Sequence, residues 1–259
     1  MAHETVLITG ASSGIGRELA KCFAADGSRL ALVARSGGPL QAFAEELRKL
    51  HKIDVRAFPV DLGKPEAPSQ VSNCLQIAGF KVDVLVNNAG FGAQGLFAEL
   101  PLERQLQMLQ VNITSLTHLT RLLLPGMVER SHGGVLNVAS TAAFQAGPRM
   151  AVYYASKAYV LSFTEALAEE VGKIGVSVTA LCPGPTATNF VAAAGMHTSR
   201  LFNRNAMSAA QVAEIGYRAF RQGRVICVTG PRNQLLAFAT RLAPRAVARK
   251  IAGAWNNAK

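Results

Sequence analysis

The chain has 259 residues, 49% of them hydrophobic and 17% charged, which excludes a disordered chain and leaves one large domain or two small ones, with a substantial core. Its formal charge of +11 is gathered at one end: residues 1–214 carry 18 Lys or Arg against 16 Asp or Glu, and residues 215–259 carry nine basic residues and no acidic one, so basicity belongs to the tail and not to the body. Four scattered cysteines and five scattered histidines show neither a disulfide framework nor metal-ligand spacing, so no metal is expected.

The first apolar run, Thr5–Thr9, has β propensity. From Ile15 the spacing turns helical, with Ile15, Leu19 and Phe23 on one stripe, and predicts a helix over Gly14–Ala25. The alternation then continues: strand 29–33, helix 40–49, strand 54–60, helix 65–78, strand 83–87. A long helical pattern over 102–124 is expected to end at Pro125 and Gly126 or to restart briefly after them. Strand 134–139, helix 151–170, strand 176–182, helix 209–221 and strand 224–229 follow. Strands separated by helix-length segments predict an α/β, doubly wound, Rossmann-like fold: a mostly parallel seven-stranded sheet with helices on both faces. Residues 1–231 read as a single domain, with a lid over about 185–208. The lid carries Phe190, Val191, Met196 and Leu201. Residues 232–259 read as a basic, amphipathic helical tail divided at Pro244. There is no internal repeat. The first strand opens near residue 5 with no signal-peptide pattern before it, so a cytoplasmic location is expected.

In such a sheet, ligands bind beyond the carboxyl ends of the strands, and each strand end can be read in turn. Strand one runs into Gly10, Ser12, Ser13, Gly14, Ile15 and Gly16. A strand, a tight glycine turn and a helix N-terminus make a phosphate site. Strand two ends in Ala34-Arg35, where a carboxylate would otherwise hold a free ribose 2′-hydroxyl. Arg35 offers a guanidinium to a 2′-phosphate instead, which points to NADP(H). After strand three, Asp61 either accepts a bond from an adenine amino group, beside the Leu62 backbone, or caps the next helix. Asn88, Ala89 and Gly90 after strand four permit close passage of a ribose, and Asn87 is placed to brace the neighbouring loop. Ser140 closes strand five. In "YYASK", Tyr153 and Lys157 stand at i and i+4, on one helix face. A phenol titrates near ~10, and a nearby ammonium would favour its phenolate. Tyr154 is the rival tyrosine.

Taken in order, these segments resemble the short-chain dehydrogenase/reductase family in its single-domain form. The resemblance spans about residues 4–230 and rests on Thr9-Gly10-Ala11-Ser12-Ser13-Gly14-Ile15-Gly16, on Asn87-Asn88-Ala89-Gly90, on Asn112, Ser140, Tyr153 and Lys157, and on Pro183-Gly184 with Thr188 beyond. It implies that Tyr153 is the acid in reduction and the base in oxidation. Lys157 would lower the Tyr153 pKa and bind the nicotinamide ribose, Ser140 would orient the substrate oxygen, and Asn112 would hold a relay water. Ser12, Ser13 and Arg35 would meet the 2′-phosphate, and Thr186 and Thr188 the carboxamide and pyrophosphate side.

The resulting expectation is an NADPH-dependent reductase or dehydrogenase acting on a lipophilic carbonyl or alcohol: a 3-oxoacyl, steroid-like or aromatic ketone. An epimerase or isomerase on the same scaffold and a non-catalytic NADP(H)-binding protein are the alternatives. The resemblance also implies a homodimer or homotetramer packed through the helices near 102–124 and 151–170, which carry Leu106, Leu109, Leu116, Leu119, Leu161 and Leu167, some of which must face the sheet. No nucleic-acid module is present. The tail, with Arg241, Arg245 and Arg249 on one face and Val247, Ile251 and Trp255 on another, has three possible partners: a peripheral anionic membrane surface, the enzyme's own substrate side, or a second subunit.

Overall fold

The computed structural model describes residues 4–188 and 206–257. Seven strands form one sheet in the order β3-β2-β1-β4-β5-β6-β9, and every neighbouring pair is parallel. These are β1 (Thr5–Thr9), β2 (Arg29–Ala34), β3 (Val55–Pro59), β4 (Val84–Asn87), β5 (Gly133–Val138), β6 (Val176–Cys182) and β9 (Ile226–Val228). All of β1 is buried, as expected of a strand covered on both faces, which is why it reads as an unbroken apolar run. The strand order reverses between β1 and β4, and that reversal opens a crevice at their carboxyl ends.

Helices α1 (Gly14–Ala25), α2 (Gly37–His51) and α7 (Ala209–Arg221) cover one face, with Leu19, Phe23, Phe43 and Phe220 in its core. Helices α3 (Ala67–Ile77), α5 (Leu116–Glu129) and α6 (Ala151–Val171) cover the other, around Leu75, Leu119, Met127 and Leu167. Two short strands, β7 (Thr186–Ala187) and β8 (Met207–Ser208), pair parallel and flank the undescribed residues, where most of the expected lid lies, Phe190, Val191, Met196 and Leu201 among it. Helices α8 (Pro231–Leu242) and α9 (Arg245–Asn257) complete the chain, and the break between them falls at Ala243-Pro244 as the sequence predicts. No helix among the described residues is long and apolar enough to cross a membrane.

Two differences from the sequence reading have physical causes. The helix expected over 102–124 is α4 (Leu102–Leu109), a π-helical turn (Gln110–Ser115) and α5, which runs through Pro125. Pro125 and Arg121, whose carbonyl loses its helical partner, are both exposed, so water can take over that bond and the break is tolerated. Helix α2 starts at Gly37, ahead of the predicted residue 40, because Pro39 stands in the first turn, where its missing N–H costs nothing. Leu116, Leu119, Leu161 and Leu167 lie in the chain's own core, as leucines that face the sheet must. Of the leucines named on those helices, Leu106 is the one that stands exposed.

Candidate active site

The glycine turn is built by backbone geometry. Gly10 and Gly14 have φ of 65° and 58°, the left-handed region in which a Cβ is costly. Gly16 is helical, but a Cβ there would collide with the Asn88 amide and with the Gly10 carbonyl. Thr9 Oγ1 accepts from the N–H groups of Asn88 and Ala89, both at 3.0 Å, and donates to the Val86 carbonyl at 3.2 Å. Asn88 Nδ2 donates to the carbonyls of Thr9 (2.9 Å) and Gly10 (3.2 Å). The side chain of Asn88 therefore ties β4 to the glycine turn, and both its amide hydrogens are committed to that tie. Asn87 does brace its surroundings: Nδ2 donates to Thr120 Oγ1 at 3.0 Å and Asn137 Oδ1 at 2.9 Å.

Ser13 is the N-cap of α1 and makes no side-chain capping bond, so the first-turn N–H groups of α1 have no side-chain cap. Gly10, Ser12, Ser13, Gly14, Ile15 and Arg35 all line one cleft of about 1090 Å³. Arg35 is exposed, and among the described residues no carboxylate forms an ion pair with it. Asp61 and Leu62 line the same cleft. Asp61 Oδ1 accepts from Gly63 N–H at 3.0 Å, a local turn, while the N-cap of α3 is Glu66, so helix capping is not its role.

On the facing wall, α6 presents Tyr153 and Lys157 from one buried face. Lys157 Nζ donates to the Val138 carbonyl at 2.7 Å and stands 5.9 Å from the Tyr153 ring centroid. Ser140 caps the 3-10 turn Thr141–Phe144, its Oγ accepting from Ala142 N–H at 3.1 Å. Burial pushes the Tyr153 phenol up to about 12, against a hydrogen bond with Ser140 that pulls it down. Burial also pulls the Lys157 ammonium down to about 8, opposed weakly by the neighbouring Cys182. In this environment burial dominates and the phenol keeps its proton at neutral pH.

Asn112 lies behind this wall. It sits in the π-helical turn, buried, and does not line the cleft. Its Nδ2 donates to the Phe91 carbonyl and to Ser156 Oγ, each at 3.0 Å, and its Oδ1 accepts from Phe91 N–H at 3.1 Å. Ser156 Oγ in turn donates to the Tyr153 carbonyl at 2.7 Å. The Asn112 side chain thus clamps the post-β4 loop to α6. Ser156 was not legible as a site residue; its position three residues after Tyr153 was the available signal.

The end of β6 closes the third side. The Pro183 carbonyl accepts from Thr141 N–H at 2.9 Å, Thr186 Oγ1 donates to the Gly184 carbonyl at 2.9 Å, and Thr188 comes to 3.3 Å from the Cβ position of Gly14. Pro183, Gly184, Thr186, Thr188, Ala89 and Gly90 all line the cleft. Its far end is apolar: Phe144 and Met150, together with Leu236 of α8 and Ile251 and Trp255 of α9. Asn256 fastens α9 there. Its Nδ2 donates to the Pro148 carbonyl at 2.9 Å, its carbonyl accepts from Gln94 Nε2 at 2.8 Å, and its Oδ1 accepts from Tyr154 Oη at 3.4 Å.

A glycine turn, a Ser-Tyr-Lys wall and a Pro-Gly strand end thus meet in one cleft at the switch point of a parallel sheet. Residues 4–198 match the family model described as short chain dehydrogenase. The chain belongs to the short-chain dehydrogenase family. As a short-chain dehydrogenase it is an oxidoreductase, and its relatives agree. It is 33% identical over 189 residues to the human very-long-chain 3-oxoacyl-CoA reductase, covering 71% of this chain and 60% of that protein. It is 35% identical over 188 residues to the D-beta-hydroxybutyrate dehydrogenase of Cupriavidus necator, covering 73% and 72%. Among solved structures, a short-chain dehydrogenase from Sphingobium yanoikuyae in complex with NADPH superposes with a TM-score of 0.83 at 30% identity, over 92% of this chain and 94% of that one.

The α9 clasp makes a testable claim on this short-chain dehydrogenase. Asn256→Ala removes the side-chain bonds to Pro148 and Tyr154, about 1 kcal/mol each. KM for a bulky ketone is expected to rise about fivefold or more, with kcat for a small one little changed. A uniform loss of kcat on both would mean that α9 supports the catalytic wall and not the substrate end.

Proposed function

We propose that the enzyme reduces the carbonyl of a lipophilic substrate with NADPH, reversibly as an alcohol dehydrogenase, and that a 3-oxoacyl compound is the substrate class. The observation that carries this is the facing of two walls across one cleft. One is a glycine turn that no side chain could occupy, leading into the uncapped start of α1. The other holds a hydroxyl, a phenol and an ammonium. The first wall fits a dinucleotide pyrophosphate, and Arg35 with Ser12 and Ser13 fits a 2′-phosphate. When bound there, NADP(H) supplies or accepts the hydride. Two relatives whose names denote a 3-oxoacyl-CoA reductase and a hydroxybutyrate dehydrogenase support the oxo/hydroxy acyl class, as does the apolar far end of the cleft.

The protein's own part in reduction is proton supply and charge placement. Ser140 Oγ donates to the substrate carbonyl oxygen and holds it against Tyr153. Tyr153, neutral at pH 7, passes its proton to that oxygen as negative charge develops. Lys157 stabilises the phenolate left behind, and solvent then reprotonates Tyr153. Asn112, through Phe91 and Ser156, holds the backbone of Tyr153 and acts as a positioning residue. Asp61, Leu62, Ala89 and Gly90 border the adenosine, and Thr186 and Thr188 the opposite side of the cofactor.

Cofactor choice is tested directly. Wild type is expected to prefer NADPH over NADH by at least about tenfold in kcat/KM, or about 1.4 kcal/mol. Arg35→Asp should remove or reverse that preference by setting a carboxylate where the 2′-phosphate would lie. Equal efficiencies in the wild type, or a stronger NADPH preference in the variant, would take Arg35 out of the cofactor site.

A further inference from the structure

The outer face of α8 plays no part in the chemistry above. At about 100° per residue, Leu235, Phe238 and Leu242 share one face of α8, while Asn233, Ala237 and Thr240, all of which line the cleft, share the opposite face. The three outward side chains are 68%, 59% and 74% exposed. A helix packed on a globular body normally turns its large apolar residues inward; here the small and polar ones face the enzyme. On α9, Val247, Ile251 and Trp255 recur every fourth residue and also stay about half exposed.

The charge around these stripes has one sign. Arg241, Arg245, Arg249 and Lys250 are exposed, and residues 215–259 contain no Asp or Glu. Large aliphatic and aromatic side chains bordered by arginine match the chemistry of an anionic lipid interface, where the apolar stripe enters the acyl boundary and the guanidinium groups meet headgroup phosphates. A second copy of this hairpin would fit poorly, because tail-to-tail pairing sets like charges against one another. Ile251 and Trp255 also line the cleft, so the same hairpin carries both the apolar stripes and part of the cleft rim.

We propose that the α8–α9 hairpin docks the enzyme on an anionic lipid surface, with the rim of the substrate cleft at the headgroup level. Docking stands independently of the reaction; entry of substrate from the bilayer rests on the lipophilic-carbonyl reading.

The test is co-sedimentation of the full-length protein with phosphatidylcholine vesicles, pure or with about 30% phosphatidylglycerol. Binding is expected on the anionic vesicles, at least about tenfold above the neutral ones, and weakened as salt rises from about 0.1 to about 1 M. Leu235→Ser/Phe238→Ser/Leu242→Ser, and separately Arg241→Gln/Arg245→Gln, should each weaken it by at least about fivefold without lowering Tm. None of these five residues lines the cleft. Wild-type binding by both variants would overturn the proposal. So would absence of vesicle binding, whether light scattering then shows the triple variant dissociating an oligomer, which would make the stripe an interface between copies, or shows no change. Because sedimentation needs no turnover, an inactive but vesicle-bound enzyme would count against the proposed reaction and not against docking.

Discussion

Tyr153→Phe is expected to lower kcat for carbonyl reduction by about 10² to 10⁴ while NADPH binding and Tm are retained. The substitution keeps the ring in a pocket where it is buried against Tyr154 and Met150 and removes only the transferable proton. Tyr154→Phe should cost far less. Its hydroxyl makes a long bond to Asn256 and stands on the α9 clasp, so its loss should move KM more than kcat. The two variants form a matched pair: the same residue type, adjacent in sequence, their rings packed edge to face with centroids 6.1 Å apart. The reverse ranking would assign the proton to the wrong tyrosine.

Lys157→Met should be nearly as damaging, through a different route. The ammonium is held in a buried site, and its fall from 10.5 to about 8 corresponds to about 3 kcal/mol of desolvation cost to the charged form. Two consequences follow from the sign. A lysine with a depressed folded-state pKa costs stability while protonated, so removing the charge should leave Tm unchanged or raised even as kcat falls by about 10² or more. In the wild type, reduction needs Lys157 charged and Tyr153 protonated. Since Tyr153 titrates near 12, Lys157 loses its proton first as pH rises. The reductive kcat/KM should therefore hold below about pH 8 and fall above it, and a profile flat to pH 10 would remove the lysine from the charge balance.

Much of this architecture was legible in the chain because its sheet is parallel and buried on both faces. Strand Thr5–Thr9 reads as a continuous run of apolar and β-branched residues and Val176–Cys182 as an apolar run interrupted by Ser177 and Thr179, and the strands' carboxyl ends, read in order, named most of the cleft. Local periodicity could not show which way a polar side chain turns once neighbouring strands arrive. Asn88 and Asn112 stand at the right places in the chain, yet tertiary contacts spend their amides on the glycine turn and on Phe91 and Ser156. The π-helical turn and the passage of α5 through Pro125 depend on solvent access and packing, which spacing does not encode. The tail gave its helices and its break at Pro244, and its stripe of Val247, Ile251 and Trp255 was visible. That Trp255 and Asn256 would reach the cleft depends on how α9 folds back, a matter of long-range contacts with Gln94 and Pro148. Which leucines of α5 and α6 meet the sheet was not legible for the same reason: an apolar helix face looks alike whether it meets its own sheet or another subunit.

The most direct test of the central claim is NADPH oxidation by the full-length enzyme, measured with 3-oxoacyl thioesters of increasing chain length beside steroid, aromatic and sugar carbonyls. Substrate-dependent oxidation is predicted for the lipophilic carbonyls, with kcat/KM rising as the acyl chain lengthens to fill the apolar end of the cleft, and little for the sugars. Tight NADPH binding with no oxidation on any of these carbonyls would contradict the reductase reading.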